Sequence, residues 1–110
     1  MPVTDAAVKS FLERLSAIRP ITSRKMFGGV GIYRDGIFFA VIDNDRLYFK
    51  VDEHNLPKYD EHGAVQWLLN DSVESPMPYR IVPDVIQSDP DRLGEFIDDA
   101  VQVAIRKKKK

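Results

Sequence analysis

The residues best suited to chemistry lie in one polar segment of the chain, DEHNLPKYDEHG at residues 52–63. It holds both histidines, His54 and His62, and carboxylates beside each of them. Imidazole nitrogens and carboxylate oxygens are common ligands of divalent metals. The histidines are eight residues apart, however, and that spacing fits neither an H-x-x-x-H helical pair nor another zinc signature. We therefore predict that these side chains are solvated and hold no metal; the carboxylates are Asp52, Glu53, Asp60 and Glu61.

Other catalytic patterns are missing from the sequence. There is no cysteine, which excludes disulfides, thiol catalysis and cysteine-ligated zinc. No serine lies in a G-x-S-x-G elbow, and neither a G-x-x-x-x-G-K-[ST] loop nor a G-x-G-x-x-G that opens a helix occurs. The carboxylates fall in turns and helix caps, whereas acid–base catalysis needs titratable groups held in a pocket. The sequence therefore predicts a protein that is not an enzyme and has no cofactor.

A second segment, RKMFGG at residues 24–29, is the candidate binding site. Glycine within a strand costs stability and usually marks a bulge, a bend or a close approach of another backbone. In one interpretation, Gly28 and Gly29 let a partner or ligand reach the main chain while Arg24 and Lys25 contact anions. In the other, which we favour, the glycines let a neighbouring part of the fold pack closely. The candidate partner-binding residues are Arg24, Lys25, Met26, Phe27, Gly28 and Gly29.

The charge distribution does not resemble that of a dedicated nucleic-acid binder. The net charge is −1, but five of the 16 basic residues lie in residues 106–110, which leaves 11 against 17 acidic residues in residues 1–105. Nucleic-acid binders usually present a basic face. We interpret the RKKKK end as a solubilising helix terminus whose cations complement the helix dipole, with nonspecific phosphate binding as the alternative.

Turn chemistry and alternation predict a three-stranded antiparallel meander. Asp35-Gly36 separates GGVGIYR from IFFAVI, and Asp-Gly between alternating hydrophobic residues is a strong signal for a type I′ hairpin. A second turn at residues 43–45 leads into RLYFKV. IFFAVI is apolar on both faces, which is typical of a central strand covered on both sides. Residues 21–27 read as a short extended lead-in to the meander.

Helices are predicted at both ends of the chain. Residues 4–18 carry an apolar stripe with Thr4 as N-cap, and residues 89–106 carry another with Asp89 as N-cap. Between them we predict a short helix that begins at Asn55 and ends before Gly63, as well as strands at 64–69 and 76–82. Because proline cannot donate to a ladder, Pro76 and Pro78 indicate that the last strand lies at an edge or begins late. In that setting Trp67 and Tyr79 are expected to pack on the sheet or in the core.

The predicted fold is α+β, with one antiparallel sheet in α-β(3)-α-β(2)-α order and the terminal helices packed on it. We expect a single domain over residues 1–105 and a basic tail over residues 106–110. The start of the chain lacks the pattern of a signal peptide, and no apolar run approaches the roughly 20 residues needed to span a bilayer. We therefore expect a cytoplasmic protein without membrane contact.

Residues 24–55, RKMFGGVGIYRDGIFFAVIDNDRLYFKVDEHN, resemble the TfoX (Sxy) N-terminal domain family. In that family an R-K-M-F-G-G segment precedes a G-(I/L)-Y-x-D-G-x-(M/F)-F-A hairpin and a (R/K)-L-Y-x-K-(V/T)-D strand. Two later segments fit as well: P-M-x-Y-x-x-V-P at residues 76–83, and D-P-x-x-L at residues 89–93. The likeness covers residues 4–105 and implies the α+β arrangement given above.

The resemblance also implies a function. Full-length TfoX-like proteins resemble regulators of natural competence that act with the cyclic-AMP receptor protein at promoters, and they carry a second, helical C-terminal domain. This chain resembles a stand-alone N-terminal domain, and the family offers no catalytic motif to transfer.

The resemblance, together with the missing catalytic patterns, implies a non-enzymatic, TfoX-like regulatory domain that acts through contacts with a protein partner, linked to competence-type transcriptional regulation. Two alternatives stay open. One is direct binding of nucleic acid by Arg24, Lys25 and the lysine tail, and the other is a small-ligand pocket beside Gly28 and Gly29. If the strand that carries Tyr79 lies at an edge, it can also pair across a two-fold axis and form a homodimer.

Overall fold

In the part of the chain that the structure describes, six antiparallel strands form a single sheet, and the helices come before, between and after them. The computed structural model describes residues 3–26, 28–68 and 76–108. The strand order across the sheet is β1-β2-β3-β4-β6-β5. In chain order the elements are α1 (Asp5–Ser16), β1 (Thr22–Met26), β2 (Gly29–Arg34), β3 (Ile37–Asp43), β4 (Arg46–Lys50), α2 (Leu56–Asp60), β5 (Gln66–Leu68), β6 (Pro76–Ile81), α3 (Asp84–Gln87) and α4 (Pro90–Lys108).

The predicted meander is confirmed in β2, β3 and β4. Asp35 and Gly36 have φ of +51° and +78°, as a type I′ turn requires at both central residues. The second turn is built in the same way, with Asn44 and Asp45 at φ of +53° and +58° between the pair Asp43 and Arg46. The α+β class, the single antiparallel sheet and the terminal helices are likewise confirmed.

One strand was not predicted as a strand. Residues 22–26, which we interpreted as an extended lead-in, pair with β2 along their whole length as β1. Its side chains from Thr22 to Lys25 are exposed and only Met26 is half-buried. An edge strand that buries neither face needs no alternation of apolar and polar residues, so its sequence carries no period of two.

The two terminal helices pack as their apolar stripes predict. Thr4 caps α1 by accepting a hydrogen bond from the backbone N–H of Ala7, and Asp89 accepts one from the backbone N–H of Arg92 at the start of α4. Helix α4 lies over β3 and β4. Its stripe is buried throughout and comprises Leu93, Phe96, Ile97, Ala100, Val101 and Ala104.

The main core lies between the helices and one face of the sheet. Phe39 and Phe49 are fully buried there and meet edge-to-face with ring centroids 5.6 Å apart. Tyr59 of α2 meets Phe96 of α4 in the same way at 5.1 Å. Burial of a phenylalanine side chain stabilises a fold by about 2 kcal/mol, so this layer fixes the helices on the sheet.

The opposite face of the sheet buries a smaller cluster made by strands alone. Its buried members are Val41, Tyr48, Trp67 and Tyr79, and no helix of the described residues contributes to it. Trp67 packs at right angles to Tyr79 with centroids 5.4 Å apart, and its Nε1 donates a 2.8 Å hydrogen bond to Oδ2 of Asp43. The sheet-face role predicted for Trp67 and Tyr79 is confirmed.

Strand β6 is internal, because it pairs with β4 on one side and β5 on the other. The edge position that we considered for it is therefore wrong, and with it the basis for a homodimer through the strand of Tyr79. The prolines are tolerated because the residues of β6 that pair with β4 begin at Tyr79, after Pro76 and Pro78. Our other interpretation of these prolines, a strand that begins late, is therefore correct for the pairing of β6 with β4.

Asn55 does not act as the predicted cap of α2. Its side chain is buried, and it accepts a hydrogen bond from the backbone N–H of Asp52 and donates one to the carbonyl of Lys50. It therefore closes the turn that follows β4. The other end of this helix is as predicted, with Gly63 at φ +63°.

Ion pairs fasten α4 at several points along its length. Asp98 accepts two 2.9 Å hydrogen bonds from Arg19 and one of 2.7 Å from Arg34. The hydrogen bonds from Arg19 lower the pKa of Asp98; burial opposes this, and Arg34 adds to the lowering. Near its C-terminal end, Arg106 donates three hydrogen bonds of 2.9–3.2 Å to both oxygens of Asp52. Arg106, which we predicted as the last residue of this helix and also counted as the first of the basic tail, thus belongs to the folded helix.

The Asp52–Arg106 pair predicts a pH-dependent stability. Burial opposes ionisation of Asp52, but hydrogen bonds from the His54 backbone and Arg106 outweigh it and hold its pKa below the ordinary value of 3.8. A lowered pKa in the folded state stabilises above the unfolded value and is lost as the pH falls through the folded value. We expect Asp52→Asn to lower the free energy of unfolding by about 1 kcal/mol at neutral pH.

Urea denaturation of Asp52→Asn and of the exposed control Glu61→Gln measures this difference. The gap between wild type and Asp52→Asn should narrow as the pH falls below about 4. A gap that is independent of pH, or equal in the control, would show that the ion pair does not cause it.

Candidate functional site

The predicted binding segment forms the sheet edge and the turn that follows it. Arg24 lies opposite Gly31, Lys25 opposite Val30 and Met26 opposite Gly29. Because successive side chains of a strand point to opposite faces, Arg24 and Lys25 lie on different faces of the sheet. Gly28 belongs to the connection between β1 and β2, and Phe27 lies outside the described residues.

The two glycines have architectural roles. Gly28 has φ of +78°, a conformation that side-chain-bearing residues rarely adopt. At Gly29 a Cβ atom would overlap the carbonyl oxygen of Ile42, so only glycine lets β2 lie this close to β3. This observation supports the interpretation that we favoured, in which the glycines serve packing.

Arg24 and Lys25 are both exposed, and neither makes an ion pair with any of the described residues. Their strand pairs with β2 on one side and with no described strand on the other. The outer side of an edge strand presents a row of N–H and C=O groups that a further strand can pair with. What the segment offers chemically is therefore a main-chain template with one cation on each face.

Met26 connects this edge to the aromatic face of the sheet. A Cβ on Gly31 would lie 2.5 Å from Sδ of Met26 and 3.1 Å from Cε1 of Phe38. Gly31 therefore leaves the space into which the Met26 side chain folds. Phe38 in turn contacts Tyr33 at 5.2 Å and Tyr79 at 5.8 Å between ring centroids. The half-buried rings of Tyr33 and Phe38 thus lie beside the edge strand.

The polar segment of residues 52–63 brings three candidate metal ligands together. Ligand atoms of Asp52, Glu53 and His54 lie within 4.8 Å of one another, whereas His62 is not part of that group among the described residues. Both oxygens of Asp52 already accept hydrogen bonds from Arg106. A cation there would have to displace a guanidinium. The other end of the segment is also engaged, because Asp60 pairs with Arg80 at 3.1 Å.

The lysines at the end of the chain lie in a different place from Arg24 and Lys25. Helix α4 continues through Lys108, and Lys107 and Lys108 line a cavity beside Gly36 and Lys50. Arg24 and Lys25 do not line it. The two cationic elements that we considered jointly for nucleic acid are therefore separate surfaces. Lys50 was not among the predicted site residues. A lysine that alternates with apolar residues along a strand is typical of a position that faces solvent.

The part of the chain that forms this geometry matches a known protein family. A family described as the TfoX N-terminal domain matches residues 13–104. The chain belongs to the TfoX N-terminal domain family. The match runs from α1 into α4 and contains every strand of the described sheet, including the β1 edge. No curated protein shows significant sequence similarity to the chain. No described helix of this TfoX N-terminal domain is long and apolar enough to cross a membrane.

The packing at the glycines predicts unequal costs of substitution. Gly29→Ala should destabilise the TfoX N-terminal domain by about 2 kcal/mol or more, because the added methyl group meets a backbone carbonyl that cannot move alone. Gly31→Ala is the matched control, since its nearest neighbour is the end of the flexible Met26 side chain. Urea denaturation of both variants measures the difference. A Gly29→Ala variant as stable as wild type would remove the architectural role.

Proposed function

We propose that this TfoX N-terminal domain is a non-enzymatic interaction domain that binds an extended, acidic segment of a partner protein along the outer side of β1. The observation that carries the proposal is the exposed edge strand with two cations that no described side chain pairs. Addition of a strand to a sheet edge is a recurring mode of peptide recognition, in which main-chain hydrogen bonds give affinity and side chains give specificity.

The charges on the edge select the occupant. Lysine on an edge strand is a common protection against pairing with a second copy of the same chain, since the like charges would meet. Pairing of two β1 strands across a two-fold axis would bring Arg24 and Lys25 close to their own copies. A segment with carboxylates at successive positions would instead meet one cation on each face of the sheet. The edge therefore favours an acidic partner over a homodimer.

Membership of the TfoX N-terminal domain family supports a regulatory role for this interaction. We infer that the domain acts in the cytoplasm in transcriptional regulation of the competence type, through protein contacts. Direct binding of nucleic acid is less favoured, because Arg24 and Lys25 lie apart from Lys107 and Lys108.

A soluble synthetic peptide in which pairs of adjacent Glu residues alternate with pairs of Val residues tests the mode of binding, because adjacent carboxylates reach both faces of the sheet. Titrated into isotopically labelled protein, it should perturb the NMR amide signals of Thr22 to Met26 and of the following turn. The same peptide with Lys in place of every Glu should perturb them less. Arg24→Glu with Lys25→Glu should weaken binding of the acidic peptide about tenfold or more, because each lost charged hydrogen bond costs roughly 1.5–3 kcal/mol.

The matched control is Lys9→Glu with Arg92→Glu, which changes the charge equally at exposed helix positions. Both double variants then serve as baits for capture from native lysate. The biological partner should be retained by wild type and by the control, and lost by the edge variant. Equal retention of the partner by both variants would contradict binding at this edge. So would an acidic peptide that perturbs protein amide signals mainly outside β1 and the turn that follows it.

A further inference from the structure

A cavity of about 380 Å³ lies where three distant parts of the chain meet. They are the turn between β2 and β3, the end of β4 and the last turn of α4. Small-molecule sites in proteins typically have volumes of roughly 300–1,000 Å³, so the cavity is of that class. Of its seven lining residues in the described part of the chain, three are lysines and none is acidic; the set is Gly36, Ile37, Phe38, Lys50, Ala104, Lys107 and Lys108.

Lys50 is the most unusual of the three lysines. Its side chain is half-buried, and its Nζ lies 5.0 Å from the ring centroid of Tyr79 and 3.5 Å from the hydroxyl of Tyr79. No carboxylate among the described residues pairs with it. Burial, and then the charge of Lys107, lower its pKa. Ammonium groups are seldom withdrawn from water without an anion, so the fold holds here a positive charge that lacks a counter-charge.

The surroundings do not neutralise this charge. Lys107 and Lys108 lie at the C-terminal end of α4, where the helix dipole is equivalent to about half a negative charge. That is small against three ammonium groups. Asp52 and Glu53 line a neighbouring cavity that shares Lys107, but Asp52 is bound by Arg106. The cavity therefore keeps an excess of positive charge.

We propose that this cavity binds a small organic phosphate, with Lys50, Lys107 and Lys108 contacting the phosphate oxygens. A phosphate monoester carries a charge of about −1.5 to −2 and three acceptor oxygens, which matches three ammonium donors better than a single carboxylate does. The remaining lining side chains are apolar, and this apolar part includes Ile37, Phe38 and Ala104. It accommodates the apolar or planar body to which the phosphate is attached. The proposal is independent of the β1 edge and of its partner.

Calorimetric titration at low ionic strength with inorganic pyrophosphate, ADP and adenosine tests the site. ADP and pyrophosphate should bind, whereas adenosine, which lacks the phosphates, should not bind measurably. Lys50→Gln should weaken ADP binding about tenfold or more, since a charge-assisted hydrogen bond is lost. Lys107→Gln with Lys108→Gln should do the same without affecting the fold, because both side chains are exposed at a helix end.

The matched control is Lys9→Gln with Arg92→Gln, which removes two exposed cations away from the cavity. It should leave ADP binding unchanged. Absence of binding at millimolar ADP and pyrophosphate would overturn the proposal, as would equal weakening in the control. A single-stranded oligonucleotide that binds more tightly than ADP and depends on the same lysines would assign the surface to nucleic acid instead.

Discussion

Packing of every described helix on one face of the sheet is the constraint on which the rest of the structure depends. The apolar stripe of α4 has a single place to be buried, which is the face formed by residues such as Phe39 and Phe49. Once that face is covered, the strands must protect the opposite face themselves. They do so with aromatic side chains, and the buried indole N–H of Trp67 finds its acceptor in Asp43.

The same constraint determines what is left for binding. Helix α4 covers the central strands β3 and β4, while β1 lies two strands away from β3 and has exposed side chains from Thr22 to Lys25. The edge thus keeps an open main-chain side, and Gly29 holds β2 close to β3 behind it. At the C-terminal end of α4, the last turn brings Lys107 and Lys108 close to the end of β4, where Lys50 lies. Both proposed surfaces therefore follow from the position of one helix.

Local chemistry was sufficient to predict much of this fold. Residue types and their spacing predicted the apolar stripes of α1 and α4, the Asp35-Gly36 turn and the glycine that ends α2. Strand β1 was not predicted because an exposed strand needs no alternation of apolar and polar residues. The role of Asn55 was predicted wrongly because its side chain bonds to the carbonyl of Lys50 and not to a helix N–H. The cavity lined by lysines could not be predicted from the sequence, because Lys50 and Lys107 are distant in sequence and only tertiary packing brings them together. Family resemblance, in contrast, was carried by the meander itself.

Amide hydrogen exchange along β1 in the uncomplexed protein, followed residue by residue by NMR, tests most directly whether the outer side of the edge strand is free. Amides of an edge strand alternate between those that bond to the neighbouring strand and those that face solvent. A free outer side predicts alternating slow and fast exchange from Thr22 to Met26, beside uniformly slow exchange in β3. Uniform protection of β1, equal to that of β3, would show that the edge is already occupied and would contradict its role as the binding surface.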